Sequence, residues 1–354
     1  MPNKDFWAGQ RVFLTGHTGF KGSWAALWLA RMGAVTTGYA LAPETDPALF
    51  DRLGPIEGLT SVIGDIRTPA PLAQAVADCD PTIAIHMAAQ PLVRRSYREP
   101  AATYDTNVMG TLNVLEALRK APNLRAVLVI TTDKVYRNDD SGHAFREDDP
   151  LGGHDPYSSS KAACEEVVSC YRQSYFDEMG VALASARAGN VVGGGDWSED
   201  RLVPDIWRAM VKGEAVTLRN PASVRPWQHV LDPVSGYLDY AEALASGRAD
   251  LPRALNFAPP ADAPMTVQQV TETLGAAMGV ARPWKLGQGA QPVEMKLLTL
   301  DASLAGRSIG WRPRLTGRKA IEWSAEWYLA MHKGGDARAL TEAQIARYED
   351  LPAA

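Results

Sequence analysis

Short apolar runs alternate with longer amphipathic stretches through the first half of the chain. "RVFLTG" (11–16), "SWAALWLARMG" (23–33) and "AVTTGYAL" (34–41) read as strand, helix, strand. "LTSVIGDI" (59–66), "PTIAIHMAA" (81–89), "RAVLVITT" (125–132) and "VALASARAGN" (181–190) add further strands. Most of these runs are nearly continuous in apolar residues, as a strand covered by helices on both faces must be. Helical periodicity fills 68–78, 103–120 and 157–175, and Gly33 stands where the first helix stops. The alternation predicts an α/β fold: a Rossmann-type doubly wound parallel sheet with right-handed crossovers. From 190 onward Gly and Pro are denser and strands shorter. The pattern therefore divides into a dinucleotide-binding domain over 1–189 and a smaller C-terminal substrate-binding region over 190–334, with at least one strand of the latter returning to the main sheet. The tail, 335–354, reads as a short amphipathic segment without evident chemistry.

Composition narrows the function. With 354 residues, 46% of them apolar, the chain can bury a full-sized core. A net charge of -5 gives no general attraction to phosphate polymers, so nucleic acid is not an expected partner. Cys79, Cys164 and Cys170 are scattered and form no CxxC pair, so they are expected to be buried, reduced thiols. The opening "MPNKDFWAGQRVFLTG" lacks an apolar segment with a cleavage site, and no run of about 20 apolar residues follows. A cytoplasmic protein without a membrane partner is expected. The histidines show no HExxH spacing, and no metal is expected.

The first chemistry lies in "TGHTGFKG" (15–22), between a strand and a helix. Gly16 permits a tight turn, Gly19 lets the backbone approach a pyrophosphate, and Gly22 lets helix and strand pack closely. Gly16, His17, Thr18, Gly19, Phe20 and Gly22 are thus the expected dinucleotide contacts, although local hydrogen bonds are an alternative role for His17. The acidic residue that binds the NAD ribose about 20 residues later is missing, and so is an arginine for a 2′-phosphate. Asp65 and Ile66, after the third strand, are placed to meet the adenine end, with a helix N-cap as the alternative for Asp65. NAD is the expected cofactor.

Two further stretches carry polar groups on an apolar frame. In "HDPYSSSK", Tyr157 and Lys161 sit at i and i+4 and share a helix face, where an ammonium favours phenolate and fits Tyr157 to act as a base. In "VLVITTDKVY" (127–136) a core strand stops on Thr132, Asp133 and Lys134. Neighbouring strand residues point to opposite faces, so the chain must end or bend there for Asp133 and Lys134 to act together.

"TGHTGFKG", "HMAAQP", "NVMGTLNVLEA", "TTDKVY" and "YSSSK", in this order, resemble the extended short-chain dehydrogenase/reductase superfamily. The resemblance implies that Thr132 hydrogen-bonds the reacting oxygen, Tyr157 is the acid/base, and Lys161 binds ribose and lowers the tyrosine pKa. Ala88 and Ala89 match the small residues against the cofactor, while Asn107 is either part of this set or a structural cap. "GNVVGGGDWSEDRLVPDIWRA" (189–209), "RNPASVRPWQHVLDPVSGYL" (219–238) and "GWRPRLTGRKAIEWSAEWY" (310–328) resemble one family within it, the CDP-glucose 4,6-dehydratases.

That likeness implies a hydro-lyase of deoxysugar biosynthesis, binding CDP-glucose and retaining NAD. It oxidises C4, eliminates water across C5 and C6, and returns hydride to C6. Elimination needs an acid and a base beyond Tyr157, which makes Asp133 and Lys134 candidates, provided both are neutral when they act. Lys134 is alternatively a positive neighbour of the sugar. Asn190, Arg201, Arg219, Arg225 and His229 are the expected substrate contacts, arginine being suited to a diphosphate. Trp227 is either a ring packed on the substrate or a core anchor. The likeness also implies a homodimer or homotetramer paired through helices 103–120 and 157–175. A dehydratase or 4-epimerase for another nucleotide sugar is the enzymatic alternative, and a cofactor-sensing binding protein is the alternative from another class.

Overall fold

The computed structural model describes residues 1–260, 264–287 and 298–352. Seven strands form one all-parallel sheet: β1 (Arg11–Thr15), β2 (Val35–Ala40), β3 (Leu59–Ile63), β4 (Ile83–His86), β5 (Ala126–Ile130), β6 (Ala182–Ala188) and β7 (Ala254–Phe257). Their order is β3-β2-β1-β4-β5-β6-β7. The chain reverses its direction of winding between β1 and β4, and ligands of such sheets bind at the carboxyl ends beside that switch. β7, which comes from the C-terminal half, pairs with β6 in register Ala254 with Ser185 through Phe257 with Ala188.

Alternation along each strand sends side chains into two cores. On one face Val12, Leu14, Ile83, Ile85, Leu128 and Ile130 pack beneath helices α1 (Phe20–Arg31), α5 (Leu231–Ala245), α6 (Arg318–His332) and α7 (Ala337–Glu349). On the other face Phe13, Ala84, Val127 and Val129 pack beneath α2 (Pro69–Cys79), α3 (Gly110–Leu118) and α4 (Pro156–Tyr171). Each fully buried large side chain contributes roughly 1.5–3 kcal/mol of transfer free energy, so both layers are held mainly by apolar burial.

Two expectations are revised. The helix predicted over 103–120 is not continuous: a π-helical turn, Asp105–Met109, precedes α3. Cys79 and Cys164 are buried, but Cys170 is exposed on the outer side of α4. The tail also packs closely: α7 buries Ile345 and Tyr348, and Trp28 of α1 donates to Glu349 at 2.8 Å. Among the described residues no helix is long and apolar enough to cross a membrane.

Candidate active site

At the end of β1 the chain turns at Gly16, whose φ of +78° lies in the region that favours glycine. A Cβ on Gly16 would come within 2.8 Å of the Ala88 nitrogen, and one on Gly22 within 2.0 Å of the Gly16 oxygen. Thr15 Oγ1 fixes the facing loop by accepting from the Met87 and Ala88 N–H groups, each at 3.1 Å. Gly19 caps α1 in extended conformation without a side-chain hydrogen bond, so the first-turn N–H groups of a 12-residue helix are left for an anion.

His17 folds away from this opening. Its Nε2 lies 2.7 Å from Ser61 Oγ, its ring stands edge-on to Phe50, and burial lowers its pKa to about 4. Thr18 Oγ1 donates to the Leu41 carbonyl at 2.8 Å, and the Phe20 ring approaches Gly193. Asp65 is not a helix cap: it pairs with Arg67 at 2.6 Å, whose hydrogen bonds hold its carboxyl below the usual range. Ile66 is buried against Gly110, and Ala88 and Ala89 are half-buried. Asn107 is a satisfied structural link: its Oδ1 accepts from Gln90 N at 2.8 Å, and its Nδ2 donates to Ser160 Oγ and Gln90 O.

β5 ends at Ile130, and Asp133–Val135 form one 3-10 turn. That bend brings Lys134 Nζ within 3.5 Å of Asp133 Oδ1. Thr132 Oγ1 donates to the same oxygen at 2.8 Å, while Asp133 Oδ2 is buried without a hydrogen-bond partner among the described residues. α4 starts at Pro156 with Asp155 as N-cap, accepting from Ser158 N, which presents Tyr157 toward this turn. Burial raises the Tyr157 phenol to about 12, while hydrogen bonding with Thr132 and the charge of Arg201 pull it down. Lys161 Nζ donates to the Ile130 carbonyl at 2.9 Å, so its first tie is to the strand end. Burial thus outweighs the downward pull of Thr132 and Arg201 on the phenol.

The expected substrate contacts separate. Asn190 adopts a φ of +48°, and its buried Nδ2 has no partner among the described residues. Arg201 Nη2 donates to the Pro91 carbonyl at 3.2 Å, and its charge reaches Tyr157. Arg219 is exposed just past the short strand Val216–Leu218, and Arg225 is half-buried on the two-residue strand Val224–Arg225. His229 is corrected: its ring is fully buried, edge-on to Trp24 and Trp323, in the short parallel pair of Gln228–His229 with Val191–Val192. It belongs to the core. Trp227 is a core anchor that donates to the Met265 carbonyl.

The model of the NAD dependent epimerase/dehydratase family matches residues 12–256. The chain belongs to that family. It is 44% identical over 353 residues, 98% of each chain, to CDP-glucose 4,6-dehydratase of Salmonella typhimurium. It is 27% identical over 79% of its length to dTDP-glucose 4,6-dehydratase of Xanthomonas campestris, covering 82% of that protein. The crystal structure of UDP-glucose 4-epimerase from Thermus thermophilus in complex with NAD superposes with a TM-score of 0.76 at 26% identity, over 90% of this chain and 98% of that one.

In this epimerase/dehydratase three residues near the catalytic turn escaped the sequence reading. Lys21, inside the glycine turn, has its Nζ 6.0 Å from the centre of the Tyr237 ring. Burial and the charges of Arg201 and Lys161 lower its pKa to about 8, against the opposite pull of Asp133 and Asp196. The Tyr237 hydroxyl is buried without a partner among the described residues, within electrostatic reach of Tyr157 and Asp133. Gly189, the last residue before Asn190, is where the chain passes the Asp133 carboxylate. A lysine between two motif glycines was the available signal for Lys21; nothing local marked the other two.

Proposed function

We propose that the chain converts CDP-D-glucose to CDP-4-dehydro-6-deoxy-D-glucose as an NAD-dependent 4,6-dehydratase. The observation that carries this reading is the Asp133–Lys134 pair, set by one 3-10 turn beside Thr132 and facing Tyr157. A 4-epimerase needs the hydroxyl, phenol and ammonium, but has no step that uses this second pair. The 44% identity to a CDP-glucose 4,6-dehydratase supports the same choice.

The residues present fit NAD: the glycine cradle at Gly16 and Gly22 is one that a Cβ would fill, and the start of α1 is uncapped. Gly19 and the first-turn N–H groups would hold the pyrophosphate, and Lys161 the ribose. When bound, NAD supplies the hydride acceptor for C4 and the donor for C6.

The Lys161 ammonium and the positive charge that oxidised NAD would bring favour the Tyr157 phenolate over the phenol that burial favours, and the phenolate takes the proton of the C4 hydroxyl while Thr132 orients that oxygen. The C4 ketone acidifies C5–H. A proton passed from Lys134 to Asp133 across their 3.5 Å contact turns the ion pair into a neutral amine and a neutral carboxylic acid. Lys134 then removes the C5 proton, Asp133 protonates the departing C6 hydroxyl, and the ion pair is restored. Water leaves, the Lys134 ammonium returns a proton to C5 as C6 is reduced, and the proton that Tyr157 took from the C4 hydroxyl passes to the Lys134 amine, which restores the phenolate and the ion pair together.

The test incubates purified protein with CDP-glucose and other nucleotide glucoses and follows product mass. Loss of one water from CDP-glucose is expected, with deuterium at C5 when the reaction runs in heavy water. An isomer of unchanged mass would make the protein an epimerase, and retained NAD without any product a sensor. Lys134→Met and Asp133→Asn should keep cofactor reduction and stall water loss; full turnover in either would remove the assigned pair. Exposed Tyr104, Met109, Tyr175 and Met179, along 100–109 and 172–179, support a homodimer or homotetramer through that face, to be measured by sedimentation.

A further inference from the structure

A buried ion pair, absent from the chemistry above, grips the catalytic turn at both ends. Glu165 lies on α4 one helical turn beyond Lys161 and two beyond Tyr157, so all three share a face. Arg187, on β6, meets its carboxylate bidentately, Nη2 at 2.8 Å and Nε at 3.0 Å. Burial pushes the Glu165 carboxyl up, but the charge and hydrogen bonds of Arg187 outweigh it and hold the group below its ordinary range. The pair is ionised inside the core.

Its remaining bonds reach the two residues that bracket Thr132–Val135. On the near side Thr131 Oγ1 donates to Glu165 Oε1 at 2.5 Å, and Ser185 Oγ to Oε2 at 2.7 Å. On the far side Arg187 Nη1 donates to the Tyr136 hydroxyl at 2.8 Å and to the Glu147 carbonyl at 2.9 Å. The Tyr136 hydroxyl in turn donates to Asn256 Oδ1 at 2.7 Å, and its ring stacks on Phe145 with centroids 5.0 Å apart. One carboxylate and one guanidinium thereby tie helix, strand and turn into a single fixed unit.

Stability alone is a poor account of such a pair, because apolar residues of similar volume often replace buried ion pairs at no cost. What an apolar replacement cannot do is hold Thr131 and Tyr136 by directed bonds. We infer that Glu165 and Arg187 are positioning residues for the reaction proposed above, locking the turn that carries Thr132, Asp133 and Lys134 to the helix that carries Tyr157 and Lys161. The inference rests on that reading of the function. The two anchors serve different halves of the reaction: Thr131 adjoins the group used in C4 oxidation, and Tyr136 lies two residues from the group used at C5.

The test removes single hydroxyls at nearly constant volume, Thr131→Val and Tyr136→Phe, and then the pair together, Glu165→Met with Arg187→Met. Thermal midpoint, KM, kcat and absorbance at 340 nm during turnover of CDP-glucose are measured. Misplacement of a reacting group by about 1 Å costs up to about 100-fold. Tyr136→Phe should therefore keep the midpoint and KM, lower kcat by about tenfold or more, and raise the steady level of reduced cofactor. Thr131→Val should slow the appearance of reduced cofactor. The double methionine variant should fold and lose about 100-fold in kcat. Unchanged kcat and absorbance in folded variants, or losses that track only the unfolded fraction, overturn the inference. Wild-type protein is the discriminating control: turnover with unmoved variants overturns the positioning role alone, whereas no turnover of any nucleotide glucose overturns the parent reading and this one with it.

Discussion

Gly189→Ala tests the placement of Asp133 without altering any reacting group. A Cβ at Gly189 would stand 1.9 Å from Asp133 Oδ2 and 2.1 Å from its Cγ, where ordinary contact begins near 3.4 Å. The carboxylate must therefore retreat by about 1.5 Å. It has little room: Asp133 is 1% exposed, its Oδ1 is held by Thr132 at 2.8 Å, and Lys134 lies 3.5 Å away. Overpacking of this kind costs about 1–3 kcal/mol of stability, which a domain of this size survives. A displacement beyond 1 Å at the proton donor lowers elimination by about 100-fold, while Tyr157 and Lys161, on a separate helix, keep their places. The assay follows absorbance at 340 nm and product mass with CDP-glucose. Rapid formation of reduced cofactor with slow loss of water is expected. Wild-type dehydration by a folded Gly189→Ala protein would refute the role given to Asp133.

Tyr157→Phe should retain NAD and lower dehydration by about 10²–10⁴-fold, read from product mass, because only the proton acceptor is removed. Gly22→Ala should lose NAD on gel filtration and melt earlier, since its Cβ would fall 2.0 Å from the Gly16 carbonyl oxygen and 2.8 Å from His17 Cα, both backbone atoms that cannot step aside. Asp232 is fully buried, and burial raises its carboxyl from 3.8 to about 6 despite hydrogen bonds from Arg314 N, Tyr348 and Leu315 N. A carboxyl whose native pKa stands above its unfolded value favours folding most at low pH and loses that contribution as pH rises through this interval. The stability advantage of wild type over Asp232→Asn in urea titrations should accordingly be larger at pH 4 than at pH 7, by about 2 kcal/mol.

The sheet was legible because its strands are short apolar runs with turn residues between them, a pattern that parallel pairing enforces on both faces. Thr132, Asp133 and Lys134 stood out for the same reason: charge at the end of "VLVI" has no place in a core. His229 misled because a polar residue in a distinctive string looks like a ligand contact, whereas two tryptophans from α1 and α6 close around it, which only the fold reveals. Gly189 and Tyr237 were hidden likewise, since each matters through a neighbour far away in sequence. The π-helical turn at Asp105–Met109 leaves no mark in an apolar pattern that is helical on either side. Asn107, within it, spends its amide on Gln90 and Ser160, a cross-link that composition does not betray.

The packing of α7 on α1 bears on how the molecule assembles. The Trp28–Glu349 hydrogen bond joins residues 321 positions apart, and Tyr348 packs edge-on to the same indole. Contacts so distant in sequence close late and slowly, because chain entropy must be spent before they form. The helix that presents the phosphate-binding turn is among the first segments of the chain, yet one side of it stays bare until residues beyond 340 arrive. Cofactor capture should therefore be among the final events of folding, and refolding monitored by NAD retention should lag behind the recovery of helical circular dichroism.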